Sequence, residues 1–309
     1  MRILAIVNPR SRAGATARRW PAVEAQLRAA LGSLEVEHTR GPRDAERIAR
    51  EGVRAGVELL LVAGGDGTLS ETAAGLLGAG LARYAELMPL PLGTGGDFVR
   101  GLALPAGLEA AIGRLATAKA RRIDAGRITL QDRRGHPLTT YFVNIASAGI
   151  SGLVTELVNR APKGLGGRAS FLIGTLRGIA RWRAASVRLR IDGETVHEGL
   201  LDLFAVANGS YFGGGMHVAP DARLDDGLFD VVWIGGTSRA RLVRQLPRLY
   251  RGTHLALPDV GAQRGTLVEA EPIEPGAEIW VEVDGEPIGR LPARFELLPG
   301  ALSLRGVGS

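Results

Sequence analysis

The chain has 309 residues, 45% of them hydrophobic and 23% charged, which suits a folded protein of about two domains and excludes disorder as its main state. It contains no cysteine, so disulfides, thiol nucleophiles, iron–sulfur clusters and cysteine-ligated zinc are excluded. The formal net charge is +6, carried almost wholly by arginine; such a surface favours anionic partners, although an arginine-rich genome would give the same balance.

In chain order, Ile3–Val7, Leu34–Thr39, Glu58–Ala63 and Glu86–Pro91 are predicted strands, and Ala15–Leu31, Arg43–Ala55, Thr68–Leu77 and Leu108–Ala118 are the helices between and after them. This rhythm predicts an α/β domain with a parallel sheet over residues 1–125. Beyond Asp124 the pattern turns β-rich, with strands expected at Arg127–Leu130, Thr139–Ala146, Ser186–Ile191, Leu201–Ala207, Leu228–Ile234, Leu267–Glu271, Ile279–Val283 and Phe295–Leu298. A second, β-rich domain is therefore expected over 126–299, with inserted helices at Ala169–Trp182 and Ser238–Arg251 and with residues 300–309 able to return to the first domain as a last strand. No apolar run approaches the roughly eighteen residues of a membrane-spanning helix. The apolar start is too short for a signal peptide, so a cytoplasmic location is expected.

Three loops follow neighbouring strands: Asn8-Pro9-Arg10-Ser11-Arg12-Ala13-Gly14, Gly64-Gly65-Asp66-Gly67-Thr68 and Gly93-Thr94-Gly95-Gly96-Asp97-Phe98. Glycine lets backbone N–H groups approach a phosphate closely, and a following helix N-terminus favours negative charge. At the carboxyl ends of parallel strands such loops form one crevice. Neither G-x-x-x-x-G-K-[ST] nor G-x-G-x-x-G is present, which disfavours a P-loop NTPase and a standard NAD-dependent oxidoreductase. A carboxylate in a phosphate loop is repelled unless a cation intervenes, so Asp66 and Asp97 suggest Mg²⁺; helix N-caps are the structural alternative. The five histidines have no metal-ligand spacing, and no G-x-S-x-G is present. Without aromatic interleaving the basic charge does not point to nucleic acid.

Together these motifs resemble the soluble lipid kinases related to bacterial diacylglycerol kinase and eukaryotic sphingosine kinase. The resemblance runs from Asn8-Pro9, through the Gly64–Thr68 loop with Glu71 and the Gly93-Thr94 loop with Asp97-Phe98, to Tyr211–Met216, Ala219-Pro220-Asp221, Asp226–Asp230 and Asp284-Gly285-Glu286. It implies an N-terminal nucleotide-binding domain, a C-terminal β-sandwich, and Mg²⁺-dependent transfer of the γ-phosphate of ATP to a lipid hydroxyl. By the same resemblance Asn8, Pro9, Arg10, Ser11, Arg12, Thr39, Gly64, Gly65, Asp66, Gly67, Thr68, Leu69, Ser70 and Thr94 line the ATP site. Asp66 belongs to the Mg²⁺ network with Asp97 and Asp124 near it, while Asp226 holds a structural Mg²⁺ with the carbonyls of Arg223 and Leu228. Glu286 is the general base, and a homodimer is an expected assembly. The sequence departs from the family at Gly96, where an asparagine is usual, and at Ser70 and Ala74.

Asp-Gly-Glu occurs twice, at Asp192-Gly193-Glu194 and Asp284-Gly285-Glu286, and both first read as hairpin turns. Only the resemblance selects Glu286 over Glu194. A lipid acceptor requires contact with a membrane surface: Arg241, Arg244, Arg248 and Arg251 form a stripe suited to anionic headgroups, an ordinary solvated helix face being the alternative. Pro247 is expected to kink that helix. Phe171, Leu172, Leu176 and Ile179 of the other inserted helix are expected to cover a lipid pocket or core. A kinase of the NAD kinase type acting on a soluble acceptor, or a non-catalytic binder of acidic lipid or nucleotide, are the other readings.

Overall fold

The computed structural model describes residues 1–92, 96–102, 107–160 and 167–306, apart from the side chains of 116, 117, 156, 158–160 and 167–172. The chain divides into two units, Met1–Ala125 with Gly300–Ser309, and Gly126–Pro299.

In the first unit β1 (Ile3–Val7), α1 (Ala15–Leu31), β2 (Glu35–His38), α2 (Asp44–Arg54), β3 (Leu59–Ala63), α3 (Asp66–Gly78), β4 (Glu86–Pro89), α4 (Asp97–Gly101) and α5 (Leu108–Thr117) follow one another. The strands pair in parallel in the order β4-β3-β1-β2. Strands β1 and β3 are unbroken buried apolar runs, as parallel strands covered on both faces must be. Ile3, Ala5, Val7, Leu59, Leu61 and Ala63 face Trp20, Val23 and Leu27 of α1 and Ala111 and Leu115 of α5. Helices α2 and α3 pack against each other so closely that a Cβ on Gly75 would lie 2.4 Å from the Glu46 carbonyl oxygen. Leu304 adds to β4 in parallel opposite Leu87, and Arg305 ion-pairs with Glu86 and donates to the carbonyls of Leu115 and Ala118. The strand order reverses between β1 and β3, which places a ligand crevice at their carboxyl ends.

The second unit contains most of β5 (Arg121–Asp132), then β6 (Pro137–Phe142), β7 (Ile145–Gly149), α6 (Ile150–Arg160), α7 (Gly167–Arg181), β8 (Ala185–Ile191), β9 (Glu194–Ala207), β10 (Phe229–Gly235), α8 (Arg239–Arg251), β11 (Val260–Gly265), β12 (Leu267–Pro272), β13 (Trp280–Val283) and the start of β14 (Glu286–Leu304). One layer runs β11-β10-β9-β7-β13-β14; the other joins β6, β5, β14, β12, β8 and the first half of β9. Phe204 and Phe229 from the first layer meet Phe142 and Phe295 from the second in a fully buried core, with Phe142 and Phe229 stacked at 5.5 Å. The outer side of the first layer is covered by Ile179 of α7 and Leu242 and Leu249 of α8.

The differences from the expected elements have local causes. Thr139–Ala146 is two strands, because Val143 and Asn144 leave the ladder to bind a neighbouring carboxylate. Strand β11 carries Gly261, Ala262, Gln263 and Arg264, too few β-branched residues to read as a strand. Phe295–Leu298 lies inside β14, which continues past Pro292 and Pro299 where sequence punctuation suggests breaks.

Candidate active site

At the carboxyl rim of the first sheet the backbone of Asn8 continues the β1–β3 ladder by donating to Ala63 O, and Thr39 N donates to Val7 O. This sets Asn8, Thr39 and Gly64 side by side. Asn8 Oδ1 accepts from Arg10 N at 3.1 Å and its Nδ2 donates to Thr68 Oγ1 at 2.9 Å, tying the first loop to the second. Arg12 and Ala13 hold the left-handed conformation, at φ 55° and 53°, so the loop after Pro9 turns sharply. Arg12 and Arg19 both donate to the carbonyl of Leu92, the residue that leads into the third loop. Ser11 shares a hydrogen bond with Thr16 at the start of α1.

Helix α3 begins at Asp66, two residues earlier than expected, so Asp66 and Gly67 belong to its first turn, where a carboxylate is favoured by the helix dipole. Asp66 Oδ2 accepts from Phe98 N at 3.3 Å. A Cβ on Gly96 would lie 2.0 Å from both Asp66 oxygens, so an asparagine there does not fit with Asp66 as placed. The departure at Gly96 thus makes room for the aspartate, and the Asp66 carboxylate rests against residues on either side of Asp97. Gly64 has the same relation to Thr68, whose Oγ1 would be 2.4 Å from a Cβ at 64. Glu71, one turn further along α3, accepts from Ala45 N at 3.3 Å and fixes α2 to the same helix.

Not every expected contact faces this rim. Leu69 is buried at 2% exposure and packs inward, while Gly65, Gly67, Arg10 and Arg12 are exposed and Pro9 and Ser70 half-buried. Thr94 lies outside the described residues. Asp97 is half-buried with Arg100 at 3.8 Å, and Asp124 is buried and accepts from Gly300 N at 2.6 Å. The carboxylate oxygens of Asp66 and Asp97 are hard donors of the kind Mg²⁺ prefers, so this rim fits that ion.

The second unit gathers a different group. Asp284 and Gly285 form a two-residue turn at φ 49° and 86° that opens β14 at an exposed Glu286. The Asp284 carboxylate accepts from Val143 N, Asn144 N and Ile145 N at 3.1, 3.1 and 3.0 Å. Asn144 Nδ2 donates to Tyr211 O at 2.9 Å and Asn208 Nδ2 to Val143 O at 2.8 Å, so the Asn208–Met216 loop and the Glu286 hairpin share one frame. Sequence reasoning missed this frame, because Asp284 reads as a turn former and two separate asparagines carry no motif. Beneath the hairpin Glu282 is buried, accepting from Ser147 Oγ at 2.6 Å and Thr155 Oγ1 at 2.8 Å; burial holds its carboxyl above the usual range.

The other hairpin has the same backbone, with Asp192 at φ 49° and Gly193 at 89°, but its carboxylate accepts from Thr266 and Leu267. At Asp226 the facing cation is Arg264, which also reaches Asp230 at 3.5 Å; Asp226 Oδ1 accepts from Leu228 N at 3.2 Å. The expected metal set of Asp226, Arg223 and Leu228 therefore does not fit Mg²⁺ as arranged, since a guanidinium fills the carboxylate's cation position. Burial pushes the Asp230 carboxyl up while Arg264 opposes it.

Comparison with known proteins finds a family model on each part of the chain. The diacylglycerol kinase catalytic domain matches residues 2–128, and the YegS C-terminal NAD kinase beta sandwich-like domain matches residues 144–306. A diacylglycerol kinase of Mycobacterium tuberculosis is 31% identical over 305 residues, covering 98% of this chain and 94% of that one. A YegS-like lipid kinase of Pseudomonas fluorescens is 35% identical over 281 residues, 91% of this chain and 88% of that one. Among solved structures, a diacylglycerol kinase from Bacillus anthracis superposes with a TM-score of 0.71 at 22% identity, over 98% of this chain and 96% of that one. Yeast NADH kinase shares the fold at a TM-score of 0.60 and 14% identity, over 100% and 84%. With both units matched and relatives aligned nearly end to end, the chain belongs to the family of diacylglycerol kinases and YegS-like lipid kinases and is a kinase that phosphorylates a hydroxyl.

Proposed function

We propose that the protein transfers the γ-phosphate of ATP, with Mg²⁺, to the hydroxyl of a membrane lipid of the diacylglycerol, phosphatidylglycerol or sphingoid type. The observation that carries this reading is the joining of three loops on one sheet rim, by Asn8 to Thr68 and by Asp66 to the backbone of Phe98. Asn8, Gly64, Gly65 and Thr68 form a cradle whose backbone groups and helix N-terminus suit a polyphosphate. Arg10 and Arg12 supply positive charge near it, and Asp66 with Asp97 would hold Mg²⁺, which when bound neutralises charge on the transferring phosphate. Glu286 accepts the proton of the lipid hydroxyl as its oxygen bonds to the γ-phosphorus. The bond from that phosphorus to the β–γ bridging oxygen breaks, and ADP leaves. The Asp284 contacts fix the hairpin that presents Glu286, which serves a base that must meet its proton within hydrogen-bond reach.

The test is transfer of labelled phosphate from ATP to a panel of micelle-presented lipids, comparing the wild type with Glu286→Ala and Glu194→Ala. Turnover lost in the first variant and kept in the second supports the reading and names the acceptor. Turnover confined to soluble hydroxyl compounds would overturn the lipid acceptor, and full activity in Glu286→Ala would overturn the base.

A further inference from the structure

The helical side of the second unit carries a surface that catalysis does not use. Helix α8 sends Leu242 and Leu249 into the core but leaves Ala240, Val243, Pro247 and Tyr250 exposed. Their spacing of three, four and three residues puts them on one stripe. Val243 and Tyr250, at 42% and 37% exposure, are among the large apolar side chains left in solvent. Arg244, Arg248 and Arg251 run beside this stripe, all exposed and without an ion pair among the described residues. Arg241, expected to share their stripe, is instead bound to Asp259 at 2.7 Å. The helix contains no acidic residue. Helix α7 packs against α8 and adds exposed Ile173 and Leu176, with Arg177 and Arg181 beside them and likewise without ion pairs among the described residues.

A solvated helix face gains nothing from exposed Ile, Leu and Val, and a self-association face would set arginine against arginine. An anionic bilayer accepts both features: the apolar chains enter the acyl boundary while the guanidiniums meet lipid phosphates. We propose that the α7–α8 face docks the protein on an anionic lipid bilayer. This rests on the lipid-acceptor reading and names the surface that reading requires. The end of α8 is tied to the Glu286 hairpin: His217 N donates to Leu249 O at 3.0 Å, the His217 ring stacks on Tyr211 at 4.2 Å, and Tyr211 O receives Asn144. The docking helix and the base thus belong to one hydrogen-bonded unit.

The experiment is co-sedimentation of the full chain, without nucleotide, with phosphatidylcholine vesicles with and without phosphatidylserine, which adds charge but no acceptor hydroxyl. The variants are the triple Arg244→Glu, Arg248→Glu, Arg251→Glu and the double Ile173→Ser, Leu176→Ser. Phosphorylation of lipid in neutral detergent micelles reports folding and catalysis independently. The triple variant is expected to lose roughly 100-fold or more in partition to anionic vesicles, the double variant several-fold, with micelle turnover unchanged in both. Partition equal to wild type in both would overturn the proposal. A wild-type dimer dissociated by the variants, with vesicle binding retained, would overturn it in favour of self-association. Arginine-dependent vesicle binding by a protein that phosphorylates no lipid would leave this surface standing and sink the lipid-acceptor reading instead.

Discussion

The β8–β9 and β13–β14 hairpins have the same three residues, the same left-handed turn and the same use of the aspartate to hold neighbouring backbone amides, yet they lie in different company. Around the first are solvent-facing ion pairs, Arg188 with Glu198 and Glu271 at 2.9 and 3.0 Å. Around the second are buried polar groups: Glu282 with Ser147 and Thr155, and Asn144 and Asn208 at the Tyr211 loop. The difference teaches that Asp-Gly-Glu by itself specifies a turn and an anchor, while the neighbours set the surroundings in which each glutamate stands.

The sharpest way to break this comparison is at the glutamates. Glu286→Gln should lower kcat by about 10²- to 10⁴-fold with little change in thermal midpoint, whereas Glu194→Gln should stay within about twofold, measured on the same micellar lipid. Equal losses would erase the distinction. Next come the anchors: Asp284→Ala should cost about 2 kcal/mol in urea unfolding, since three backbone N–H groups lose a charged acceptor, and should lower turnover as the hairpin shifts. Asp192→Ala, on the more exposed turn, should cost about half that and leave turnover intact.

A smaller effect separates the two settings by pH. Burial raises the Glu282 pKa, so the folded state holds its proton more tightly than the unfolded chain does. Its contribution to stability is complete below the unfolded value of 4.5 and is lost as pH climbs through the raised folded value. Glu282→Gln should therefore flatten the decline of the urea midpoint as pH rises above 4.5, and an unchanged slope would assign that decline elsewhere. The smallest effect belongs to Arg188→Ala, which should move the thermal midpoint by no more than about 2 °C, because exposed ion pairs are weak and screened by salt.

Much of this architecture is legible in the sequence. The apolar runs of β1 and β3, each followed by glycine and a helix, predict a parallel sheet and the rim on which Asn8, Gly64 and Thr68 meet. The helix start at Asp66 is less visible, because Gly65-Asp66-Gly67 reads as turn residues and only the tertiary setting continues the helix back to Asp66. Strand β14 is obscured by its two prolines. The fit of Gly96 to the Asp66 carboxylate, and the Asn144–Asn208 frame, arise from contacts across 30 or more residues that no local pattern encodes.

Leu304 completes the first unit's sheet and Arg305 binds Glu86, yet residues 126–299 are made before either exists. At ribosomal speeds that interval is roughly 10 to 35 s, during which the nascent first unit has β4 as an uncovered edge. Translation order therefore leaves the first unit, begun earlier, without its closing residues until nearly the whole chain has been made.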